Sequence, residues 1–247
     1  MTTGHRRLDL ALAESGLARS RSHAQELIRS GRVRVGGRTV TRPATMVPAG
    51  ADGLDVDGEE WVGRAAHKLL GALEDLPVPI GGRALDVGAS TGGFTQVLLA
   101  SGCQVVYAVD VGHDQLAAAV RDDPRVHVRE GLNAKAITLA DLDDAPVDLV
   151  VADVSFISLT HLIPAITGVC DKAAYALLMV KPQFEVGRQG LDRKGVVRDE
   201  RARLAAVDAV ARAAEELSWV VTGHAPSRLP GPAGNVEYFL RLARNGR

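Results

Sequence analysis

The stretch that most constrains the fold of this chain runs from Leu85 to Gln96 and reads LDVGASTGGFTQ. Its apolar beginning predicts a buried strand, its glycines predict a turn, and a helix capped by Ser90 and Thr91 is expected to follow. An open α/β sheet binds nucleotide-like cofactors at such a strand-turn-helix connection. The turn is not a P-loop, because no Gly-Lys-Ser/Thr follows it, and it lacks the G-x-G-x-x-G spacing of the dinucleotide fingerprint.

From residue 61 to residue 247 the chain alternates strand-like and helix-like patterns. This alternation predicts an α/β fold class with a doubly wound, Rossmann-like, mostly parallel sheet. The last two strand candidates are close in sequence, which predicts a final antiparallel strand. The clearest amphipathic helical face consists of Leu204, Val207, Val210, Ala214 and Leu217. The strand candidates are Ala84–Val87, Val105–Asp110, Val126–Arg129, Val147–Asp153, Ala174–Lys181, Val220–His224 and Val236–Leu242.

Residues 1–60 are expected to form a small N-terminal α+β domain and a linker. Two short helices are predicted, the first ended by Gly16 and the second capped by Ser20. A hairpin with Gly36 and Gly37 in its turn follows. Proline, glycines and five acidic residues between positions 48 and 60 mark the linker. About fifty residues are marginal for independent stability, so this segment is interpreted as a docking module.

The net charge of −1 conceals an uneven distribution. Residues 1–42 contain nine arginines and three acidic residues, a net charge of +6, which leaves −7 for the remainder. A basic segment on a mildly acidic body favours a phosphate-rich partner, and a merely solvated basic face is the alternative. The string RRLDLALAESGLARSRSHAQELIRSGRVRVGGRTVTRPATMV resembles the S4 RNA-binding domain. The resemblance implies that RNA is contacted by Arg6, Arg19, Arg21, Arg29, Arg32 and Arg34.

Composition excludes several classes of protein. Cys103 and Cys170 have no metal-ligand spacing, so neither a disulfide framework nor a metal site is expected. No run approaches the ~18 apolar residues that cross a bilayer, and the first residues lack a signal-peptide core. A cytoplasmic protein without membrane contact is therefore expected.

The glycine turn is similar to motif I of S-adenosylmethionine-dependent methyltransferases, in which an acidic residue precedes the first glycine. Asp86 is expected to face the methionine ammonium group, and Asp110 is expected to accept the ribose hydroxyls. NAD enzymes also bind a ribose through such a carboxylate, so Asp110 alone does not distinguish the two cofactors. Asn133 is a candidate for the adenine edge. The cofactor-binding residues that follow are Asp86, Gly88, Ser90, Thr91, Gly92, Gly93, Phe94, Asp110, Asn133 and Asp153.

Four charged residues are candidates for the chemistry. Lys181 follows an apolar strand and precedes Pro182, which keeps it extended at the carboxyl edge of the sheet. Asp153 ends the preceding strand at the same edge, Glu237 opens the final strand, and Lys68 lies on a helix that enters the domain. Taken singly, Asp153, Glu237 and Lys68 are as compatible with a structural charge as with a catalytic one.

The order Lys68, Asp153, Lys181, Glu237 resembles the K-D-K-E tetrad of FtsJ-like ribose 2′-O-methyltransferases. With the S4-like segment and the runs ASTGGFT, VADVSFISL, VKPQFEVG and GNVEYFL, nearly the whole chain is similar to the TlyA/haemolysin-A family of ribosomal RNA methyltransferases. The resemblance implies methyl transfer to the ribose of a cytidine, with 23S favoured over 16S RNA because the chain looks like the shorter family type. Lys181 would act as base or oxyanion stabiliser, and Asp153 would position it.

The chain departs from the family at Ala65-Ala66, where a glycine is usual, and at the linker Glu59-Glu60-Trp61-Val62, which often begins with arginine. The charge reversal in the linker leaves open whether RNA docking and cofactor binding are coupled. Three other functions are alternatives: a non-catalytic RNA-binding or ribosome-assembly factor, a membrane-active haemolysin and an NAD-dependent dehydrogenase. The complete tetrad disfavours the first, and the absence of an apolar span disfavours the second.

Overall fold

The computed structural model describes residues 5–15, 17–18, 20–48, 53–57, 61–231 and 233–244. The chain divides into two compact units, residues 1–67 and residues 68–247. The predicted helix end at Gly16, the predicted RNA contact Arg19 and the linker residues Glu59 and Glu60 lie outside the described residues.

The first unit contains two short helices and short strands. Its elements are β1 (His5–Arg7), α1 (Leu8–Ser15), α2 (Arg21–Arg29), β2 (Val33–Val35), β3 (Arg38–Thr39), β4 (Met46–Pro48) and β5 (Leu54–Val56). Strands β1 and β4 pair antiparallel, and β2 lies between β3 and β5. Ser20 caps α2 by accepting a hydrogen bond from the backbone N–H of His23, as predicted. Leu8, Leu12 and Leu27 are among the buried core residues.

A buried charge cluster stabilises the helix pair of this unit. The Asp9 side chain is fully buried, and its carboxylate accepts hydrogen bonds from Arg7, Arg21 and Gln25 at 2.9–3.0 Å. The hydrogen bond from Arg7 is the largest reason why the pKa of Asp9 lies well below its ordinary value.

The larger unit is built on a seven-stranded sheet with the order β11-β12-β10-β9-β6-β7-β8. Its strands are β6 (Arg83–Val87), β7 (Val105–Asp110), β8 (Val126–Glu130), β9 (Val147–Ala152), β10 (Cys170–Val180), β11 (Trp219–Pro226) and β12 (Tyr238–Arg244). β12 pairs antiparallel with both neighbours, whereas the pairs from β10 through β8 are parallel. The predicted doubly wound α/β sheet with a final antiparallel strand is confirmed.

Helices connect these strands. They are α3 (Arg64–Asp75), α4 (Gly93–Ala100), α5 (Ala118–Arg121), α6 (Ile163–Val169), α7 (Pro182–Glu185) and α8 (Glu200–Glu215), with 3₁₀ turns at Ala134–Ala136, Leu139–Leu142, Leu159–His161 and Arg188–Gly190. α3 crosses the division between the units, and its Lys68 begins the second unit. Among the described residues, no helix is long and apolar enough to span a bilayer. On α8, Val207, Val210 and Ala214 are buried, but Leu204 is exposed, against expectation.

Several of the predicted strand boundaries are wrong. β10 begins at Cys170 rather than Ala174, with a register irregularity before Tyr175. β12 begins at Tyr238, so Glu237 lies in the preceding loop and does not open the strand. Asp153 and Lys181 likewise lie one position beyond their strands. These displacements put the charged residues in the loops at the sheet edge, where their backbones are still hydrogen-bonded: the Asp153 N–H donates to the Val87 oxygen at 3.0 Å, and the Glu237 oxygen accepts the Ser227 N–H at 2.7 Å.

Candidate active site

The carboxyl ends of β6 and β9 meet at the point where the strand order of the sheet reverses. A cavity of about 410 Å³ opens at this edge, and the loops after β6, β7, β8 and β9 line it. Ligands of open α/β sheets bind at such a switch point. Of the predicted cofactor-binding residues, the cavity wall contains Gly88, Ser90, Asp110, Asn133 and Asp153.

The glycine turn after β6 is shaped by packing against the neighbouring strand connection. Gly88 has φ +85°, and a Cβ atom built on it would lie 2.7 Å from the backbone oxygen of Asp153. Gly92 has φ +92°, and a Cβ atom there would meet Leu116 at 2.9 Å and Val120 at 3.0 Å. Only glycine satisfies both the left-handed backbone and these approaches.

The predicted capping of α4 by Ser90 and Thr91 is wrong. Gly92 occupies the N-cap position, and no side chain caps the helix. Ser90 has φ +47°, and its backbone N–H donates to the Asp110 carboxylate at 2.9 Å. The other Asp110 oxygen accepts the N–H of Gly112 at 2.7 Å. The carboxylate predicted to bind a ribose therefore also fixes the two loops on either side of the cavity.

Four of the predicted cofactor contacts do not line the cavity. Thr91 is exposed, Gly92 and Gly93 are buried, and Phe94 is buried in the core, where its ring stacks on Phe239 at 6.1 Å. Phe94 points inward because it is on the first turn of α4, whose inner face packs on the sheet. Asn133 lines the cavity and also caps the 3₁₀ turn after it, accepting the Lys135 N–H at 3.1 Å.

Asp86 is also absent from the cavity wall, because its side chain is completely buried at the end of β6. Oδ2 accepts the Thr95 hydroxyl at 2.7 Å, while Oδ1 has no hydrogen-bond partner among the described residues. Burial is the largest cause that raises the pKa of Asp86 to about 7. A buried oxygen without a partner is rare and marks a position where a polar group of a ligand or a water fits.

The four candidate catalytic residues form two ion pairs. The Lys181 Nζ atom lies 2.6 Å from Oδ1 of Asp153 and donates to the Ser155 hydroxyl at 3.0 Å. Lys181 is buried, and its backbone is extended at the first position after β10, immediately before the proline that begins α7. Asp153 and Ser155, which line the cavity, together fix two directions around the Lys181 amine, so this side chain is held in one orientation.

The second ion pair joins Lys68 and Glu237, which are 169 positions apart in the chain. The Lys68 Nζ atom lies 2.6 Å from Oε2 of Glu237, and both side chains are buried. Gln183 donates to the other Glu237 oxygen at 3.1 Å, and Lys68 also contacts the Met179 sulfur at 3.6 Å. Burying a charge is unfavourable unless it is paired and hydrogen-bonded. Lys68 and Glu237 therefore depend on each other, and on Gln183, to remain buried.

Three residues beside these pairs were not predicted: Ser155, Phe156 and Gln183. Ser155 and Phe156 line the cavity, and Phe156 is 91% exposed in a left-handed backbone conformation with φ +65°. Its ring lies 5.3 Å from that of Phe184. A signal was available, because both cavity residues belong to the run VADVSFISL that carries the family resemblance.

Most of the arginines predicted to contact RNA have partners within the first unit. These are Glu14 for Arg6, Asp9 for Arg21, Gln25 for Arg29, and Asp57 for Arg32 and Arg34. Arg38 and Arg42, which were not predicted, are exposed, and their side chains have no partner among the described residues. A charge count alone could not separate the paired guanidiniums from these two.

Comparison with known families assigns the class. The FtsJ-like methyltransferase family matches residues 61–244, and the S4 domain matches residues 6–52. These matches, together with the sheet order and the cavity at its switch point, define an enzyme of the FtsJ-like methyltransferase class that carries an S4 domain.

Comparison with individual relatives narrows the class to one family. The chain is 51% identical to the 16S/23S rRNA (cytidine-2′-O)-methyltransferase TlyA of Mycobacterium tuberculosis, over 96% of this chain and 89% of the relative. It is 36% identical to the 23S rRNA (cytidine-2′-O)-methyltransferase TlyA of Campylobacter jejuni, over 78% and 76%. A solved putative hemolysin from Streptococcus thermophilus matches with a TM-score of 0.78 and 30% identity, over 98% and 90%. The chain belongs to the TlyA family.

Proposed function

We propose that this protein transfers a methyl group from S-adenosylmethionine to the ribose 2′-hydroxyl of a cytidine in 23S ribosomal RNA. The observation that carries the proposal is the presence of two ion pairs, Lys181 with Asp153 and Lys68 with Glu237, of which Asp153 lines the cavity. The proposed target comes from the relatives. The names of both TlyA enzymes, from Mycobacterium tuberculosis and Campylobacter jejuni, specify 2′-O-methylation of cytidine, and both names include 23S rRNA.

The cavity suits S-adenosylmethionine by its donors and acceptors. Asp110 would accept the ribose hydroxyls, and Asn133 would contact the adenine edge. Asp86 does not line the cavity, so its unpartnered Oδ1 would reach the ammonium group through a water. Gly88 and Ser90 would form the wall along the methionine part. When bound, the cofactor supplies an electrophilic methyl group on a sulfonium ion.

Lys181 is the residue assigned to the acceptor hydroxyl. A ribose hydroxyl is a poor acid, so attack on a methyl group requires alignment of the reacting atoms and help with the proton. Asp153 and Ser155 lie 2.6 and 3.0 Å from Nζ, and the ribose oxygen would approach Nζ from a third direction. A neutral Lys181 would accept the hydroxyl proton, and a charged one would stabilise the developing oxyanion.

Lys68 and Glu237 are assigned to orienting the ribose. Gln183 and Lys68 each satisfy one oxygen of Glu237, so the carboxylate is held from both sides. Phe156 supports a nucleic-acid substrate, because an aromatic ring that is 91% exposed beside the cavity can stack on an unpaired base. The arginine-rich S4 domain would hold a more distant part of the RNA through its phosphates.

The test is transfer of labelled methyl groups from S-adenosylmethionine to isolated large and small ribosomal subunits from cells that lack the gene, followed by mapping of the modified nucleotide. We expect a ribose methyl on a cytidine of the large-subunit RNA. Lys181→Ala should abolish transfer, whereas Lys172→Ala, an exposed lysine at the start of β10, should not. Methylation of a base or of the small subunit alone would contradict the proposal, as would full activity of the Lys181→Ala variant.

A further inference from the structure

A loop beside the active site carries unpaired positive charge. This basic loop, residues 187–198, reads GRQGLDRKGVVR and contains four cationic residues and one acidic residue. Arg198 pairs with Asp192 at 2.8 Å. Arg188, Arg193 and Lys194 are exposed, and within the described part of the chain their side chains have no hydrogen-bond or ion-pair partner. Elsewhere in the larger unit most arginines are paired, so a cluster of three unpaired cations is distinctive.

The backbone of the basic loop is held rigidly. The Asp192 carboxylate accepts the N–H groups of Lys194 at 2.8 Å and Val196 at 2.9 Å, and the Asp192 N–H donates to the Val196 oxygen at 2.9 Å. Val196 and Val197 are buried, which fixes the end of the loop to the domain. The two cations at its tip, Arg193 and Lys194, are therefore presented from a fixed backbone, which reduces the entropy lost when they bind a ligand.

Asn235 connects the basic loop to the catalytic residues. It is 4% exposed, donates through Nδ2 to the Gly195 oxygen at 3.0 Å, and accepts the Val197 N–H through Oδ1 at 3.0 Å. Asn235 stands two positions before Glu237, and Lys181 stands six positions before the loop begins. The loop is thus tied to the chain segments of both ion pairs and lies at the same edge of the sheet.

We propose that the basic loop is a second RNA-binding surface, separate from the S4 domain, that contacts the phosphates flanking the target nucleotide. The inference rests on the proposed function. Arg193 offers a planar fork that matches a phosphate, and Lys194 offers a compact charge beside it. Neither needs to give up an internal partner to bind. These contacts lie near the reacting ribose. Because phosphates carry no sequence information, the contacts fix the position of the acceptor strand and do not read its sequence.

The double variant Arg193→Ala/Lys194→Ala tests this surface. Its control is Lys172→Ala/Arg212→Ala, which removes the same charge from exposed side chains at the opposite edge of the sheet, at the start of β10 and the end of α8. Binding to a large-subunit RNA fragment containing the target is measured by fluorescence anisotropy at several salt concentrations. Each phosphate contact contributes about 0.7–0.9 to the slope of log affinity against log salt.

We expect the loop variant to lose about 1.5 from this slope and to bind about tenfold more weakly at physiological salt, with the control unchanged. The KM for RNA should rise while kcat at saturating RNA is kept. The single variant Arg193→Lys, which keeps the charge but not the fork, should keep the salt slope and lose part of the affinity. Equal slopes and KM values for the two double variants, with methyl transfer intact, would overturn the loop assignment and leave the proposed function standing. Absence of methyl transfer to RNA by the unmodified protein would overturn both.

Discussion

Asp86→Asn should make the protein more stable at alkaline pH, because it removes a carboxyl group that is buried without full compensation. Burial raises the pKa of Asp86 from 3.8 to about 7, so ionising it in the folded protein is about 4 kcal/mol less favourable than in the unfolded chain. The folded state therefore binds more protons than the unfolded state between about pH 4 and pH 7, and the stability of the unmodified protein falls as the pH rises through this window.

Asparagine has nearly the same shape and no charge to bury. Its amide oxygen can still accept the Thr95 hydroxyl that now bonds Oδ2 of Asp86. The difference in unfolding free energy between variant and unmodified protein should be near zero at pH 4. It should rise to about 4 kcal/mol above pH 7, where the unmodified protein contains an ionised Asp86.

The measurement is urea denaturation at pH 4, 5, 6, 7 and 8, followed by the fluorescence of Trp219, which is buried in the larger unit. A Trp61→Phe background removes the other tryptophan. Asp208→Asn is the control, since Asp208 is exposed on α8 and has no side-chain partner in the described residues. A pH-independent difference for Asp86→Asn, or the same profile for the control, would refute the argument. The variant should also bind S-adenosylmethionine at least tenfold more weakly at pH 8, because the proposed ammonium contact loses its charge.

Three further changes test the packing of the site and of the S4 domain. Gly88→Ala should lower the free energy of unfolding by about 3 kcal/mol because its Cβ would meet backbone, whereas Gly102→Ala, with φ +101° and open space, should lose about 1 kcal/mol; urea denaturation compares them. Glu237→Gln should destabilise by about 3 kcal/mol by leaving the Lys68 ammonium buried without a charged partner. Glu237→Leu/Lys68→Met should recover much of this stability in thermal denaturation without recovering methyl transfer, and an active double variant would contradict the assigned role. Asp9→Asn should destabilise the S4 domain by about 2 kcal/mol at neutral pH; because the folded pKa of Asp9 is depressed, the difference should shrink as the pH falls below about 4, and a pH-independent loss would refute this.

The local pattern of the sequence was sufficient for most of the fold. Alternating strand and helix patterns predicted the doubly wound sheet, and the short connection before the last strand predicted its antiparallel direction. These features depend on residues close together in the chain, where apolar periodicity and glycine or proline positions control the backbone. The N-cap at Gly92 was missed, because the need for glycine at this position comes from Leu116 and Val120, which approach it from a later part of the chain.

For the candidate site, too, some features could be predicted from the sequence and others only from the structure. The sequence by itself singled out four candidates for the chemistry, because Lys68, Asp153, Lys181 and Glu237 occur in an order that resembles one family. It could not determine the burial of Phe94, the unpartnered oxygen of Asp86 or the contact between Lys181 and Ser155. Those facts follow from strand register and from the loops that meet at one edge of the sheet. Only the tertiary structure decided them, because a charge separated from its partner by 169 positions has no local signal of the pairing.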